Sequence, residues 1–293
     1  MTVYVKFVET LIVDIPTIRP HVLSMATMHS QTLVILRITG SDDVEGIGEG
    51  TTIGGLSYGA ESPESIKSAL DKYIIPVLKD QDISQVNQIM QRVQRYVSGN
   101  PIAKCALEMA LLDAVGKRLV LPVSELIGGG RVTDRLPVAW TLASGDTTKD
   151  IAEAEYMIEQ RRHRIFKLKI GKKPLKDDVS HVAAIKKALG EQASIRVDVN
   201  QAWDEATADR GMGLLSDAGV DLVEQPVARH ATGAMTRLSA RHTIPLMADE
   251  ALSGPVSAFT LAAETGARIF ALKIAQSGGL YAARDVASIA MAA

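Results

Sequence analysis

A single cysteine, Cys105, among 293 residues excludes an internal disulfide. It lies in an apolar-periodic stretch and reads as a core thiol, which suits a reducing cytoplasm. Neither sign of charge is in excess. With 32 Lys+Arg against 34 Asp+Glu, the formal net charge is −2, so no global field draws in nucleic acid or a membrane surface. No apolar run approaches the length of a bilayer span. The opening, Met1-Thr2-Val3-Tyr4-Val5-Lys6, has no basic segment followed by an apolar one, so no secretory signal is expected. Aromatics are few and alanines many, as in a helix-rich α/β protein. No G-x-G-x-x-G follows a strand, which counts against a dinucleotide fold. The one glycine run, Gly128-Gly129-Gly130, stands outside that frame and reads as a linker turn.

What is present falls into two halves. Residues 3–13, Thr32–Thr39 and Glu45–Glu49 read as the strands of an antiparallel meander, the last two joined by the turn Gly40-Ser41-Asp42-Asp43. Between the first two, Ile15 to about Ser30 reads as an irregular loop too long for a hairpin turn, and it carries Arg19 and His21. A glycine-rich loop, Thr51–Gly59, follows and carries Ile53 and Tyr58. Three helices come next. The first is capped by Ser62 with Pro63 at its first position, the second covers about Ile83–Val97, and the third starts from Asn100-Pro101 and runs to about Arg118. A boundary near Arg131–Arg135 makes residues 1–131 an α+β capping domain and residues 132–293 a second domain.

The second domain alternates strictly. Strands are expected at Leu136–Ala143, Arg164–Gly171, Ser194–Asn200, Asp221–Gln225, Ile244–Glu250 and Ile269–Ala275, each followed by a helix. These are short apolar runs, as in a parallel sheet covered on both faces. Six βα units in a row indicate an α/β protein with a (β/α) barrel, here incomplete.

In such a barrel, reactive groups sit at the C-terminal ends of the strands. The second strand carries Lys167 and Lys169 on one face, because side chains alternate. Two adjacent ammonium groups need anions, or use their repulsion to lower a lysine pKa. The next strands end in Asp198-Val199-Asn200, Glu224-Gln225-Pro226 and Asp249-Glu250, and the sixth carries Lys273. The intervals 169 to 198, 198 to 224, 224 to 249 and 249 to 273 are 29, 26, 25 and 24 residues, one repeat each. Any one of these acids taken alone would be a helix cap; five phased positions are not a coincidence of caps. Three converging carboxylates need a cation, and an all-oxygen set selects a hard one, Mg²⁺ or Mn²⁺. Such a site can move a proton at the carbon beside a carboxylate, stabilising the enediolate that results.

K-x-K, D-x-N, E-Q-P, A-D-E and L-K-I in this order resemble the muconate-lactonizing subgroup of the enolase superfamily, over essentially all 293 residues. The helix segment Leu107–Asp113 and the segments Pro16–His21, Thr51–Gly55, Trp140–Asp146 and Arg161–Arg164 strengthen the likeness to the muconate-lactonizing members. The resemblance implies cycloisomerisation of cis,cis-muconate to muconolactone in aromatic catabolism. It implies Lys169 as acid/base, Lys167 tuning it and holding a substrate carboxylate, and Lys273 facing it across the ring. Asp198, Glu224 and Asp249 would hold Mn²⁺ or Mg²⁺, with Asn200 and Glu250 behind them. Ile53, Tyr58, Arg19 and His21 would close over a small dicarboxylate. A homo-oligomer, an octamer, is implied as well. Gln276 stands where related enzymes often have lysine, which leaves substrate detail open.

Two other readings share these residues. The same site supports racemisation or epimerisation of an acyl amino acid or dipeptide, with sugar-acid dehydration a more distant option. The chain could also be an inactive metal-binding remnant. The sequence stops at Ala293 inside a helical run with six units of an expected eight, so 293 residues is expected to be part of a protein of roughly 370.

Overall fold

The computed structural model describes residues 2–22, 27–57 and 59–293, and omits the side chains of residues 19, 21 and 22. By its contacts the chain divides into two units. One takes in most of the chain up to Asp134 together with Lys273–Asp285; the other holds Arg135–Leu272 and Val286–Ala293.

The first unit is built on a three-stranded sheet in the order β1 (Val5–Val22), β2 (Thr27–Gly40), β3 (Glu45–Thr51). The meander is as expected, but the loop expected over 15–30 is mostly strand. The segment contains Pro16 and Pro20, and among the described residues β1 pairs on one side only, so a proline whose missing N–H faces away from β2 costs no ladder bond. Thr17 Oγ1 donates to the His29 carbonyl at 3.0 Å, and the Thr32 hydroxyl reaches Asp14, so the hairpin stays in register well past residue 13. Helices follow at α1 (Pro63–Ala69), α2 (Val86–Tyr96), α3 (Pro101–Leu119) and α4 (Val123–Gly128). Ser62 caps α1 through a reciprocal capping box with Ser65. Asn100 does not cap α3; it sits at φ 52° and its amide donates to Ser98 O at 2.8 Å. The cap is supplied from a distance by Glu61. Its buried carboxylate accepts the N–H groups of Ile102 at 2.9 Å and Ala103 at 3.2 Å.

β3 lies on α3 with almost nothing between them. Gly46, Gly48 and Gly50 all face the helix, and a Cβ on Gly48 would stand 1.9 Å from the Ala106 carbonyl oxygen. Around this contact Leu36, Ile38, Ile66, Leu107 and Leu111 form the core, fully shielded from water. Cys105 is buried on α3, and burial pushes its thiol up to about 12, so the core-thiol reading holds.

The second unit is a six-stranded parallel sheet in sequential order: β4 (Trp140–Leu142), β5 (Ile165–Lys169), β6 (Ser194–Asp198), β7 (Leu222–Glu224), β8 (Leu246–Ala248) and β9 (Ile269–Phe270). The crossovers are α5 (Thr147–Glu159), α6 (Leu175–Leu189), α7 (Glu205–Asp217), α8 (Thr232–Arg241) and α9 (Pro255–Ala263). Asp146 and Asp204 cap α5 and α7 through their side chains. Phe166, Leu168, Ile195, Val197 and Val223 point from the strands into this core, opposite the face that carries the charged residues. Among the described residues β4 and β9 each pair on one side only.

The sixth strand departs from expectation. It ends at Phe270, and α10 (Ile274–Ser277) starts directly after Lys273, which occupies the N-cap position rather than a strand. A strand extends only as far as its neighbour pairs with it. The ladder stops at Ala248 opposite Phe270, because β8 turns away at Asp249. From there the chain docks on α3 in the first unit, although 273–285 was expected in the barrel half. Glu108 accepts the Tyr281 N–H at 3.1 Å, and Gly279 packs so closely that a Cβ there would meet the Glu108 carboxylate. α11 (Leu280–Ala292) follows.

Candidate active site

The reactive groups assemble at the ends of β5 to β8. Parallel register puts Lys169 opposite Asp198 and Asp198 opposite Glu224, so the three share one face at one level. Lys169 Nζ donates to Asp198 Oδ2 at 2.5 Å and to Asn200 Oδ1 at 3.0 Å. Lys167 Nζ lies 2.6 Å from Glu224 Oε2 and 3.5 Å from Asp198 Oδ2. Asn200 passes the network on, its amide donating to Glu250 Oε1 at 3.1 Å. Asp198, Glu224, Asp249 and Glu250 are all at most 3 % exposed, so their charges act with little screening by water.

Local backbone geometry holds these groups out of the helices that follow. Asp198 Oδ1 accepts the Asn200 N–H at 3.0 Å, an Asx turn that carries the chain into left-handed residues Asn200 (φ 46°) and Gln201 (φ 67°). Non-glycine residues in that region are strained and persist where their surroundings over-determine them. Asp178 on α6 accepts the Gly171 N–H at 2.8 Å and ties down the segment just after Lys169.

The electrostatics decide between two expectations. The two ammonium groups were expected either to find anions or to use their repulsion to lower a lysine pKa, and it is anions that they find. At Lys167 burial does push the pKa down, but the Glu224 and Asp198 carboxylates outweigh it and hold the ammonium above its ordinary value. Burial would raise Asp198, yet Lys169 and then Lys167 keep it below the usual carboxylate range. Glu224 is pushed up to about 7, first by burial and then by the Asp198 charge, with Lys167 only partly offsetting them. Glu250 is raised by burial and by the charge of Asp249.

Among the described residues no three acids, histidines or cysteines are gathered closely enough to ligate one ion as they stand. Lysine ammonium groups occupy the oxygens instead. The residues nevertheless fit a hard cation. The donors are all oxygen, they rise from neighbouring strand ends, and Glu224 resists ionising because it is buried and has the Asp198 charge beside it. Glu250 Oε2 is a further buried oxygen with no hydrogen-bond partner among the described residues.

The remaining expected residues are not brought together with these in one described unit. Lys273 is half-buried at the start of α10. Ile53 is half-buried in the loop after β3, beside a cavity of about 650 Å³ lined by Thr52, Gly54 and the start of β2. Arg19 and His21 lie in β1, with side chains outside the described residues; Tyr58 lies outside them altogether. One residue went unassigned. Gln225 of the E-Q-P segment is fully buried at the centre of the site, and its only sequence signal was its place beside Glu224.

Comparison with known proteins places this architecture. Residues 7–128 match the mandelate racemase / muconate lactonizing enzyme N-terminal domain, and residues 149–293 match the enolase C-terminal domain-like family. The chain belongs to the mandelate racemase / muconate lactonizing enzyme family of the enolase superfamily, whose members bind a divalent metal ion. Within it, the chain is similar to muconate cycloisomerases. It is 56 % identical to Muconate cycloisomerase 1 of Acinetobacter baylyi, over 97 % of this chain and 77 % of that protein. It is 55 % identical to Muconate cycloisomerase 1 of Pseudomonas putida, over 100 % of this chain and 78 % of that one. Identity to a chloromuconate cycloisomerase of Delftia acidovorans is 45 %, over 99 % and 78 %. The crystal structure of muconate lactonizing enzyme from Pseudomonas fluorescens complexed with muconolactone superimposes with a TM-score of 0.97 at 56 % identity, covering 100 % of this chain and 78 % of that one.

Proposed function

We propose that the chain catalyses the cycloisomerisation of cis,cis-muconate to muconolactone. The observation that carries this is the pairing of Lys169 with Asp198 on the last rung of β5 and β6, inside a set of buried acids, in a chain 56 % identical to a muconate cycloisomerase.

Asp198, Glu224 and Asp249 would hold the Mn²⁺ or Mg²⁺ ion, which supplies electrostatic stabilisation for negative charge developing on a carboxylate. The chain's own residues handle the proton. One substrate carboxylate adds to the diene and closes the lactone ring, and the displaced electron pair moves to the carbon beside the other carboxylate. Lys169 gives its Nζ proton to that carbon. Lactone formation removes one carboxylate charge, so one proton is taken up overall, and Lys169 recovers it from water. Lys167 remains an ammonium beside Glu224 and Asp198 and keeps Lys169 company as a second positive charge for the dianionic substrate. Asn200 and Glu250 hold Lys169 in place from behind. Lys273 supplies a further ammonium, and Ile53, Tyr58, Arg19 and His21 shield the substrate from water. The protein works as a cytoplasmic homo-oligomer.

The test is direct. Purified protein with Mn²⁺ and cis,cis-muconate should consume the diene, followed by its ultraviolet absorbance, and yield muconolactone by NMR. Absence of turnover with the metal bound, or turnover of an N-acyl amino acid instead, refutes the assignment.

A further inference from the structure

Gln225 has no charge to contribute, yet it is 0 % exposed and sits at φ 35°, in the left-handed region. Its surroundings account for that strain. The carboxamide oxygen accepts the Asp249 N–H at 3.0 Å and the Ala251 N–H at 3.1 Å. The carboxamide nitrogen donates to the Val227 carbonyl at 2.9 Å and lies 3.4 Å from Met235 Sδ. Its backbone N–H donates to Met247 O at 2.9 Å, and its carbonyl accepts from Gln201 N at 2.8 Å. Every polar group of the residue is therefore engaged, across the ends of three successive strands.

The direction of these bonds matters more than their number. β8 ends at Ala248, and the chain leaves the sheet there and runs on through Asp249, Glu250 and Ala251. Gln225 takes both flanking N–H groups into one oxygen. A planar amide whose far side is also bonded cannot swing, so the backbone around Asp249 cannot tilt without breaking two buried hydrogen bonds.

We propose that Gln225 is a positioning residue. Its carboxamide clamps the Asp249 and Ala251 N–H groups, sets the angle at which Asp249 joins Asp198 and Glu224, and thereby sets the affinity for a divalent cation. This rests on the metal-site reading above. A glutamine serves better than a glutamate, because a carboxylate here would add a fifth buried acid beside Asp198, Glu224, Asp249 and Glu250. A hydrophobic residue of equal length would leave two N–H groups unpaired.

The experiment titrates Mn²⁺ calorimetrically into the protein stripped of metal, alongside its melt and its steady-state kinetics. Gln225→Met keeps length and removes the acceptor. It should bind Mn²⁺ about 10–100-fold more weakly, the usual cost of losing a partner behind a metal ligand, while the metal-free protein still melts cooperatively. Saturating Mn²⁺ should restore most of kcat. Gln225→Glu retains the accepting oxygen and should keep more of the affinity than Gln225→Met. Mn²⁺ affinity in Gln225→Met within about threefold of the parent overturns the proposal, since the expected loss is at least tenfold. If that variant does not fold, Gln225→Asn decides: one methylene shorter, it cannot reach Asp249, and parent-like affinity refutes the clamp. Asp249→Asn separates the two levels. If it binds Mn²⁺ like the parent, the metal-site reading fails and this inference with it; if Asp249→Asn loses the ion while Gln225→Met does not, only the role of Gln225 fails.

Discussion

Lys169 and Asp198 are register partners on the final rung of β5 and β6, and the ammonium reaches the carboxylate at 2.5 Å. The contact orients the ammonium and fixes its charge partner at once. Lys169→Ala should lower turnover of muconate by about 10²–10⁴-fold, the usual contribution of a positioned acid/base, with Mn²⁺ still bound. Lys273→Ala is the comparison. If it abolishes turnover while Lys169→Ala does not, the proton comes from Lys273.

Glu224 gives a pH signature in the metal-free protein. Burial and the neighbouring Asp198 charge push its carboxyl from the ordinary 4.5 up to about 7, so between those values the folded state binds more protons than the unfolded one. Stability from this group is therefore greatest below pH 4.5 and declines as pH rises through 7. Melts in chelator at pH 5 and pH 8 should show the fall. Glu224→Gln should flatten it, by about 1–3 kcal/mol at the alkaline end. A parent-like slope in Glu224→Gln would show that the decline arises elsewhere.

Glu61 caps a helix 40 residues away in sequence, and its worth can be measured. Glu61→Ala leaves the buried N–H groups of Ile102 and Ala103 without an acceptor and should cost about 2 kcal/mol in urea unfolding. Glu61→Gln keeps an accepting oxygen and should recover a large part of that loss. Equal losses in both would mean the carboxylate charge, not the hydrogen bonds, holds α3.

Gly48 and Gly128 form a matched pair. An alanine Cβ at Gly48 meets the Ala106 carbonyl, and backbone cannot turn aside as a side chain can; Gly128 has nothing within 4 Å. Gly48→Ala should destabilise by about 3 kcal/mol or more, and Gly128→Ala should stay within about 0.5 kcal/mol. Similar midpoints for the two would refute the close approach of β3 to α3.

Much of this was legible where the cause is local. The alternation of Lys167 and Lys169 against Leu168 and Ile170 is a property of any strand, and the spacing of Asp198, Glu224 and Asp249 follows from one βα repeat per acid. Ser62-Pro63 and Asp146 carry their caps within three residues. What stayed hidden depends on distant partners. Asn100-Pro101 has the signature of a helix start, but the acceptor is Glu61. Pro16 and Pro20 break a central strand and are harmless at an edge, and sequence does not say which strand is the edge. Lys273 looked like a strand residue because Ile269–Ala275 is apolar, while the strand's length was decided by where β8 ends. Gln225 is the clearest case, since a buried amide has no periodicity and no charge to mark it.

The glycine face of β3 also acts as a vernier. Gly46, Gly48 and Gly50 take their nearest helix carbonyls from Ala110, Ala106 and Ile102, so two residues of strand are matched to four of helix. Those steps are about 6.8 Å along the strand and about 6.0 Å along the helix, close but not equal. A Cβ at Gly46 or Gly48 would meet its carbonyl at 2.0 or 1.9 Å, and by Gly50 the corresponding carbonyl is 3.7 Å away. The two scales coincide over two marks and then drift apart. Adding one residue to α3 between Ile102 and Ala110 would rotate the later marks by about 100° and bring side chains where the strand tolerates only backbone. The spacing of α3 is thus fixed by its phase against β3, independently of any side chain on the strand.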